Sequence, residues 1–265
     1  MLNFLTRPRL LAVFTLGLLG LYYYACWVEP FWLETTRHTI LTNVKRPIKI
    51  AHLSDLHIRH FGELEQNVID VLEVEKPDLI AISGDSTISR YGIPALREIL
   101  SHFHAPNGVW VVKGNWENAV RIPHERKFFE ELGIHFLLNE ARAARDDLWV
   151  IGLDESMHGF PKVDESLKGV PSDVFRLALF HEPGIFNRLA GHINLGLAGH
   201  THGGQIRLPF LPPLFLPQGC FGYVAGWYED HQSRLYVSRG IGNSMLEARF
   251  LARPELAFIT LHPNH

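Results

Sequence analysis

Thiols are almost missing from this chain. Cys26 and Cys220 are its only cysteines, too few for a disulfide framework and too differently placed for a thiolate zinc site. It has no acidic or basic tail, and a formal net charge of −3 lacks the electrostatic footprint of a nucleic-acid binder. Charged residues make up 20% and hydrophobic ones 46% of 265 residues, an ordinary globular balance with some extra apolar content. That length suits one large domain, and a monomer is expected.

The extra apolar content sits at the N-terminus. Leu10 to Val28 runs without a charged residue and is just long enough to cross a bilayer as a helix. Arg7 and Arg9 precede it, while Tyr22, Tyr23, Tyr24, Trp27, Phe31 and Trp32 crowd its far end as an interfacial aromatic belt does. A cleaved signal peptide is the rival reading, but the run is long for one and ends in bulky aromatics instead of small residues. Residues 1–46 are therefore read as a membrane anchor with a juxtamembrane lead, and residues 47–265 as the soluble domain. The positive-inside tendency puts the N-terminus in the cytoplasm and the domain outside it, with Arg37, Lys45 and Arg46 pulling the other way.

Beyond the lead, short apolar runs alternate with helical periodicity, which predicts an α/β fold. Ile48 to Leu53 reads as a strand. Glu63 to Glu75 reads as a helix, with Leu64, Val68, Val71, Leu72 and Val74 near helical spacing and Pro77 closing it. Further strands are predicted at 78–82, 108–112, 134–138, 148–153, 175–180, 193–197, 235–238 and 257–261, with helices over 94–102 and 123–132. Residues 154–173 lack periodicity and read as a long surface loop. The stretch 207–217 is apolar but too rich in proline for a helix or a central strand.

Five strand ends carry polar ligand types: Asp55-Leu56-His57, Gly84-Asp85, Gly114-Asn115-Trp116-Glu117, His181-Glu182, and Gly199-His200-Thr201-His202-Gly203. Ligands of open α/β sheets bind at the carboxyl ends of strands. His200 and His202, one residue apart, project their rings from the same side of an extended strand end. Carboxylate, imidazole and carboxamide without thiolate suit Mn, Fe or Zn, whereas calcium takes more oxygen. Asp55, Asp85 and Asn115 follow one another at intervals of 30 residues, the length of one strand-helix unit.

In order and composition these segments resemble the calcineurin-like metallophosphoesterase family, whose pattern is Asp-x-His, Gly-Asp, Gly-Asn-His-Asp/Glu, a lone His and Gly-His-x-His. The resemblance implies a two-sheet α/β/β/α sandwich that hydrolyses phosphoesters with a water bridging two divalent ions, Mn²⁺ foremost, with Fe or Zn as alternatives. It implies Asp85 as the shared carboxylate, Asp55, His57 and His202 on one ion, and Asn115, His181 and His200 on the other. Asp85, Asn115 and His200 are then also the catalytic positions. Most members carry histidine where this chain has Trp116, so a proton donor is sought in His60, His158 or Glu117.

The stretch from Gly199 to Pro209, with Ser238-Arg239-Gly240-Ile241-Gly242 later, resembles the membrane-associated bacterial branch of YkuE- and YaeI-type phosphodiesterases. That implies a bacterial cell membrane and a phosphodiester substrate that could be lipid-linked. The alternative is a pyrophosphate bond in a nucleotide-activated lipid such as UDP-diacylglucosamine. Arg239 and Arg249 are the candidates for substrate phosphate, which guanidinium matches bidentately. The apolar Leu208 to Pro217 loop either meets acyl chains and the bilayer or packs under the sheet. A rival of another class is a non-catalytic interaction module on the same scaffold, which Trp116 permits.

Overall fold

The computed structural model describes residues 7–264. Helix α1, Arg7–Tyr23, is apolar from Leu10 onward and buries none of its large apolar side chains: Leu10, Leu11, Phe14, Leu18 and Leu21 are all exposed. The helical stretch Arg9–Phe31 is long and apolar enough to cross a membrane. Contacts with the rest of the chain begin past Tyr23, in a π-helical turn, Tyr24–Val28, and a 3₁₀ turn, Glu29–Phe31. The Ala25 carbonyl accepts from the Arg249 N–H at 2.8 Å, and the Tyr24 ring meets Phe250 edge-on at 6.2 Å. Glu29 is fully buried and accepts from the Ala252 N–H at 2.6 Å.

Two six-stranded sheets follow. The first holds β1 (Glu34–Thr42), β2 (Ile48–Leu53), β3 (Leu79–Ile82), β4 (Val109–Val111), β5 (Ile134–Phe136) and the last strand, β12 (Glu255–Pro263), in the order β1-β12-β2-β3-β4-β5. The second holds β6 (Glu140–Arg145), β7 (Leu148–Gly152), β8 (Phe175–Leu179), β9 (Leu195–Ala198), β10 (Gly226–Asp230) and β11 (Ser233–Val237), in the order β10-β11-β9-β8-β7-β6. Strands β2 to β5 run parallel, as do β7, β8, β9 and β11. Parallel pairing sends their carboxyl ends in a common direction, and there the polar segments emerge.

Burial explains the layering. Helix α2 (Glu63–Glu75) presents Leu64, Val68 and Leu72 at i, i+4 spacing to the first sheet, beside Leu96, Ile99 and Leu100 of α3 (Ile93–Ser101). A short helix, α4 (Asn115–Val120), follows β4 and leads to α5 (Glu125–Glu130), whose Phe128 and Phe129 complete this outer layer. Ile48, Ile50, Leu79 and Trp110 meet Val150, Leu177, Leu195 and Tyr236 between the sheets. On the far side α6 (Val163–Leu167) and α7 (Phe186–Leu189) cover Ile151, Ala178 and Val237. Each fully buried Leu, Ile or Phe contributes about 1.5–3 kcal/mol relative to exposure, so the core can hold strained loops at its edge.

Several elements depart from the sequence reading. The lead at 29–46 contains β1, which pairs in parallel with β12 from Glu34↔Glu255 to Thr42↔Pro263. It has no clear apolar alternation because it is half-buried at a sheet edge. Edge strands β6 and β10 escape for the same reason, and the expected loop at 154–173 includes α6. Val74, read into the apolar stripe of α2, is 80% exposed. Phe210, Leu211, Leu214 and Phe215 are exposed as well, so the proline-rich stretch does not pack under a sheet.

These contacts fix where the N-terminus can be shortened. Deleting residues 1–23 removes no buried contact among the described residues and should leave the thermal midpoint of the domain unchanged. Deleting residues 1–31 removes the Ala25 and Glu29 bonds, worth about 2–4 kcal/mol together, and should lower the midpoint by roughly 5–15 °C. Equal midpoints for the two truncations in differential scanning calorimetry would show that the π and 3₁₀ turns do not support the fold.

Candidate metal centre

The loops after β2, β3, β4, β8 and β9 bring the seven ligand-type residues to one place, and five of them have left-handed backbone: φ is 50° at Asp55, 45° at His57, 55° at Asp85, 71° at His200 and 50° at His202. Each such non-glycine residue costs on the order of 1–3 kcal/mol. Cross-loop hydrogen bonds hold the turns in that shape. Asp55 N–H donates to the Gly84 carbonyl at 3.0 Å and His57 N–H to the Asp85 carbonyl at 2.9 Å, while His200 N–H donates to Asp55 Oδ2 at 2.9 Å. Glycine is required where the loops touch: a Cβ on Gly114 would collide with Asp85 Oδ1, and one on Gly199 with Ser54 Oγ.

Two donor groups result, Asp55 with His57 and His202, and Asp85 with His181 and His200, all six residues buried. In the first, His57 Nε2 and His202 Nε2 are 3.1 Å apart and His202 Nε2 is 3.4 Å from Asp55 Oδ1. Asp85 Oδ2 faces both groups, 3.1 Å from His181 Nε2 and 3.6 Å from His57 Nε2. Its other oxygen accepts the Trp116 N–H at 2.8 Å.

Histidine hydrogen bonding defines what the second group can hold. His181 Nδ1 lies 2.8 Å from the Ser83 carbonyl and His200 Nε2 2.7 Å from the Gln218 carbonyl. A carbonyl only accepts, so both of these nitrogens carry their proton. The remaining nitrogens, His181 Nε2 and His200 Nδ1, then face each other at 3.1 Å, an arrangement that needs a cation in the shared space, either a proton or a metal ion. Burial opposes charge on His181, but Asp85 and Asp55 hold its pKa well above the ordinary histidine value. Burial pushes His200 down to about 4 and His202 to about 3, which keeps both in the neutral, metal-ligating form. Asp55 resists the upward push of burial because His202, His181 and His57 hold its carboxyl well below the usual range.

Asn115 supplies the clearest test of fit. Its Oδ1 is buried with no hydrogen-bond partner, a loss of about 1–3 kcal/mol that a bound cation removes. The residues present therefore fit a pair of divalent ions.

The surrounding groups differ in part from the sequence reading. Glu117, considered as a proton donor, lies behind Asp85 and is only 2% exposed. Its carboxylate accepts from the backbone N–H groups of Ser86 at 2.6 Å, Gly114 at 2.8 Å and Asp85 at 3.0 Å. Burial and the Asp85 charge push it up to about 7. It positions the Asp85 turn from behind. Its place three residues after Gly114, at the start of α4, is a helix-capping spacing that the sequence displays. His158 is exposed and its backbone N–H binds Glu155. His60 lines a cavity of about 370 Å³ beside His57, together with Tyr22, Trp27, Arg59 and Asn243, and is the donor candidate best placed by position. The Trp116 ring stands edge-on to His57 at 5.8 Å.

Both arginines expected to bind phosphate are committed elsewhere. Arg249 is fully buried, and its guanidinium donates to the Asn243 side chain and to the carbonyls of Arg239, Ala252, Gly240 and Gly242. Its Nη2 lies 3.3 Å from His202 Nδ1, so it braces the loop behind a ligand. Arg239 pairs with Glu34 at 2.8 Å and Glu255 at 3.3 Å. Sequence showed their charge but not these distant partners. The carbonyls of Ser83 and Gln218, which set the histidine tautomers, left no sequence signal at all, because any residue can supply a carbonyl.

Fold and donors together define a two-sheet α/β protein with a paired, thiolate-free metal-ligand site. The chain belongs to the calcineurin-like phosphoesterase family, whose profile matches residues 48–213. It is 33% identical over 261 residues to the metallophosphoesterase YkuE of Bacillus subtilis strain 168, spanning 91% of this chain and 90% of that protein. With the phosphodiesterase YaeI of Escherichia coli K12 it shares 29% over 251 residues, 90% of this chain and 92% of the other. A metallophosphoesterase of Aquifex aeolicus VF5 is 28% identical over 266 residues, 94% and 98% of the two chains.

Glu117→Ala should strand three buried N–H donors and destabilise the protein by about 2–5 kcal/mol, whereas Glu117→Gln, which keeps one acceptor oxygen, should cost less than half of that. Urea unfolding of the two variants decides this. Equal loss in both would mean that charge, and not acceptor geometry, holds the turn.

Proposed function

We propose that this chain is a membrane-anchored phosphodiesterase that works with two divalent ions, Mn²⁺ foremost and Fe or Zn as alternatives. One observation carries the reading: Asp85 Oδ2 faces both donor groups, while Asn115, next in sequence to the Trp116 N–H that Asp85 accepts, has a buried and unpartnered side-chain carbonyl. Asp55, His57, Asp85 and His202 would hold one ion, and Asp85, Asn115, His181 and His200 the other. Bound there, the ions supply a nucleophilic water near neutral pH and neutralise charge on the phosphoryl oxygens.

The chain's own residues prepare this chemistry. Only two ligands are anionic, so two divalent ions leave an excess of positive charge suited to a phosphodiester anion. The Ser83 and Gln218 carbonyls fix which nitrogen each histidine offers. Ser54 Oγ donates to Asp55 Oδ2 at 2.6 Å and holds that carboxylate in place. Trp116 brings no acid to the leaving oxygen, which favours a leaving group that departs with little help.

The apolar helix, the exposed 208–217 loop and the cavity beside His57 support a lipid-linked diester. Among the alternatives, a nucleotide-activated lipid with a pyrophosphate bond suits the same features. A non-catalytic module would have little use for a complete donor set with an orphaned Asn115 carbonyl. Arg7 and Arg9 before the apolar run favour an extracytoplasmic domain.

Release of nitrophenol from bis-nitrophenyl phosphate tests the centre. Asp85→Ala should abolish it with or without added Mn²⁺. Asn115→Ala and His202→Ala should each slow turnover by at least roughly 10–100-fold at fixed Mn²⁺, a loss typical even of outer-sphere partners, and higher Mn²⁺ should restore part of it by mass action. Activity that survives both chelation and Asp85→Ala would end the two-ion reading. In a series of aryl and alkyl leaving groups, Trp116→His should speed the poor ones most, by up to about 10²-fold; a uniform effect would assign that position no role in proton transfer.

A further inference from the structure

Exposed apolar side chains gather where the domain meets the end of the N-terminal helix. In the 207–217 loop Phe210, Leu211, Leu214 and Phe215 are each more than half exposed, and in the 243–251 loop Met245, Leu246 and Leu251 are too. Leu208 to Pro217 contains no charged residue. A soluble surface seldom leaves so many large apolar groups together without a partner.

The two loops form one braced platform. Gln205 Nε2 donates to the carbonyls of Leu246 at 2.6 Å and Ala248 at 3.1 Å, Arg207 N–H to the Phe250 carbonyl at 2.8 Å, and Phe250 N–H to the Gln205 carbonyl at 3.0 Å. The platform is joined to the helix by the Arg249 N–H bond to the Ala25 carbonyl and by the Tyr24 ring against Phe250. A helix long and apolar enough to span a bilayer thus ends on the platform that carries the exposed apolar groups.

We infer that this platform is a second membrane contact, in which Phe210, Leu211, Leu214 and Phe215, with Met245 and Leu246, enter the boundary between headgroups and acyl chains of the bilayer that the helix crosses. The occupant follows from attachment: the loops that carry these side chains are tied through Arg249 and Phe250 to Ala25 and Tyr24 at the end of the apolar helix, and Tyr22, Trp27 and Trp32 near that end suit an interfacial level. The cavity beside His57 shares Tyr22 and Trp27 with the helix and Asn243 with the second loop. A lipid phosphodiester held in this cavity would lie against the helix, the second loop and the ligand position His57 at once. The inference rests on reading the helix as a membrane anchor and deepens the proposed function.

The full chain, reconstituted in phosphatidylcholine nanodiscs with brominated acyl chains, provides the test. In a Cys26→Ser background, an environment-sensitive fluorophore is attached at Phe215→Cys, at Met245→Cys and, as a control, at Val74→Cys, near the α2 end that lies by Lys49 at the start of β2. Emission at Phe215→Cys and Met245→Cys should shift to shorter wavelength and be quenched by the brominated chains, while Val74→Cys stays polar and unquenched. Labels at both loop positions that behave like the control would overturn the inference, whether or not the chain self-associates through that face. Failure of the chain to enter nanodiscs would overturn it together with the anchor. Quenching does not depend on turnover, so an inactive enzyme with quenched loops would count against the proposed reaction alone.

Discussion

Buried negative charge is the constraint from which the rest of this structure follows. Asp55 and Asp85 are 0% and 2% exposed, and leaving such carboxylates uncompensated costs several kcal/mol per ion. The imidazoles of His57, His181, His200 and His202 are the compensating groups at hand, yet burial drives all but His181 toward the neutral form. Neutral rings cannot balance two carboxylates. They can, however, present lone pairs to cations that do, and the carbonyls behind His181 and His200 assign those lone pairs inward. The left-handed turns at five ligand positions are tolerated because the loops are tied to one another by backbone and carboxylate hydrogen bonds and seated on parallel strands with fully buried cores.

That dependence explains what was legible in the sequence. Asp55, His57, Asp85, Asn115, His181, His200 and His202 could be read because each sits immediately past an apolar strand run and because few residue types bind metal. The alternation of strand and helix gave the parallel halves of both sheets for the same local reason. Residues whose role depends on a distant partner were opaque. Arg239 and Arg249 both read as phosphate ligands from their charge, whereas Arg239 pairs with Glu34, 205 residues away, and the donors of Arg249 are taken up by Asn243 and backbone carbonyls. Strand β1 was invisible because an edge strand that is half-buried along its length needs no clean alternation, and only its ladder with β12 defines it.

Arg249 also joins parts of the chain that seem unrelated in sequence. Its backbone N–H holds the Ala25 carbonyl, its guanidinium braces the 239–252 segment, and its Nη2 lies against His202 Nδ1. Burial lowers its pKa to about 10, which still leaves it cationic at neutral pH. Its charge is offset by Asp55, Glu29 and Glu255, so the π-helical end of the helix, the metal-ligand loop and β12 share one electrostatic knot. Replacing it by lysine would keep the charge but lose the planar fork that serves several carbonyls at once.

It follows that the functional unit does not begin at the first strand of the soluble domain. Helix α1 buries no large apolar side chain among the described residues, but the turns from Tyr24 to Phe31 deliver Ala25 and Glu29 to the loop behind His202, and β1 closes the first sheet beyond β12. A membrane attachment that only tethered the enzyme would tolerate any flexible linker at this point. Here the linker is helical, aromatic and hydrogen-bonded to Arg249 and Ala252, and the Arg249 side chain lies in turn against His202. The same bonds join the apolar loops to the end of the helix, an arrangement that suits the proposed use of a substrate from the plane of a membrane.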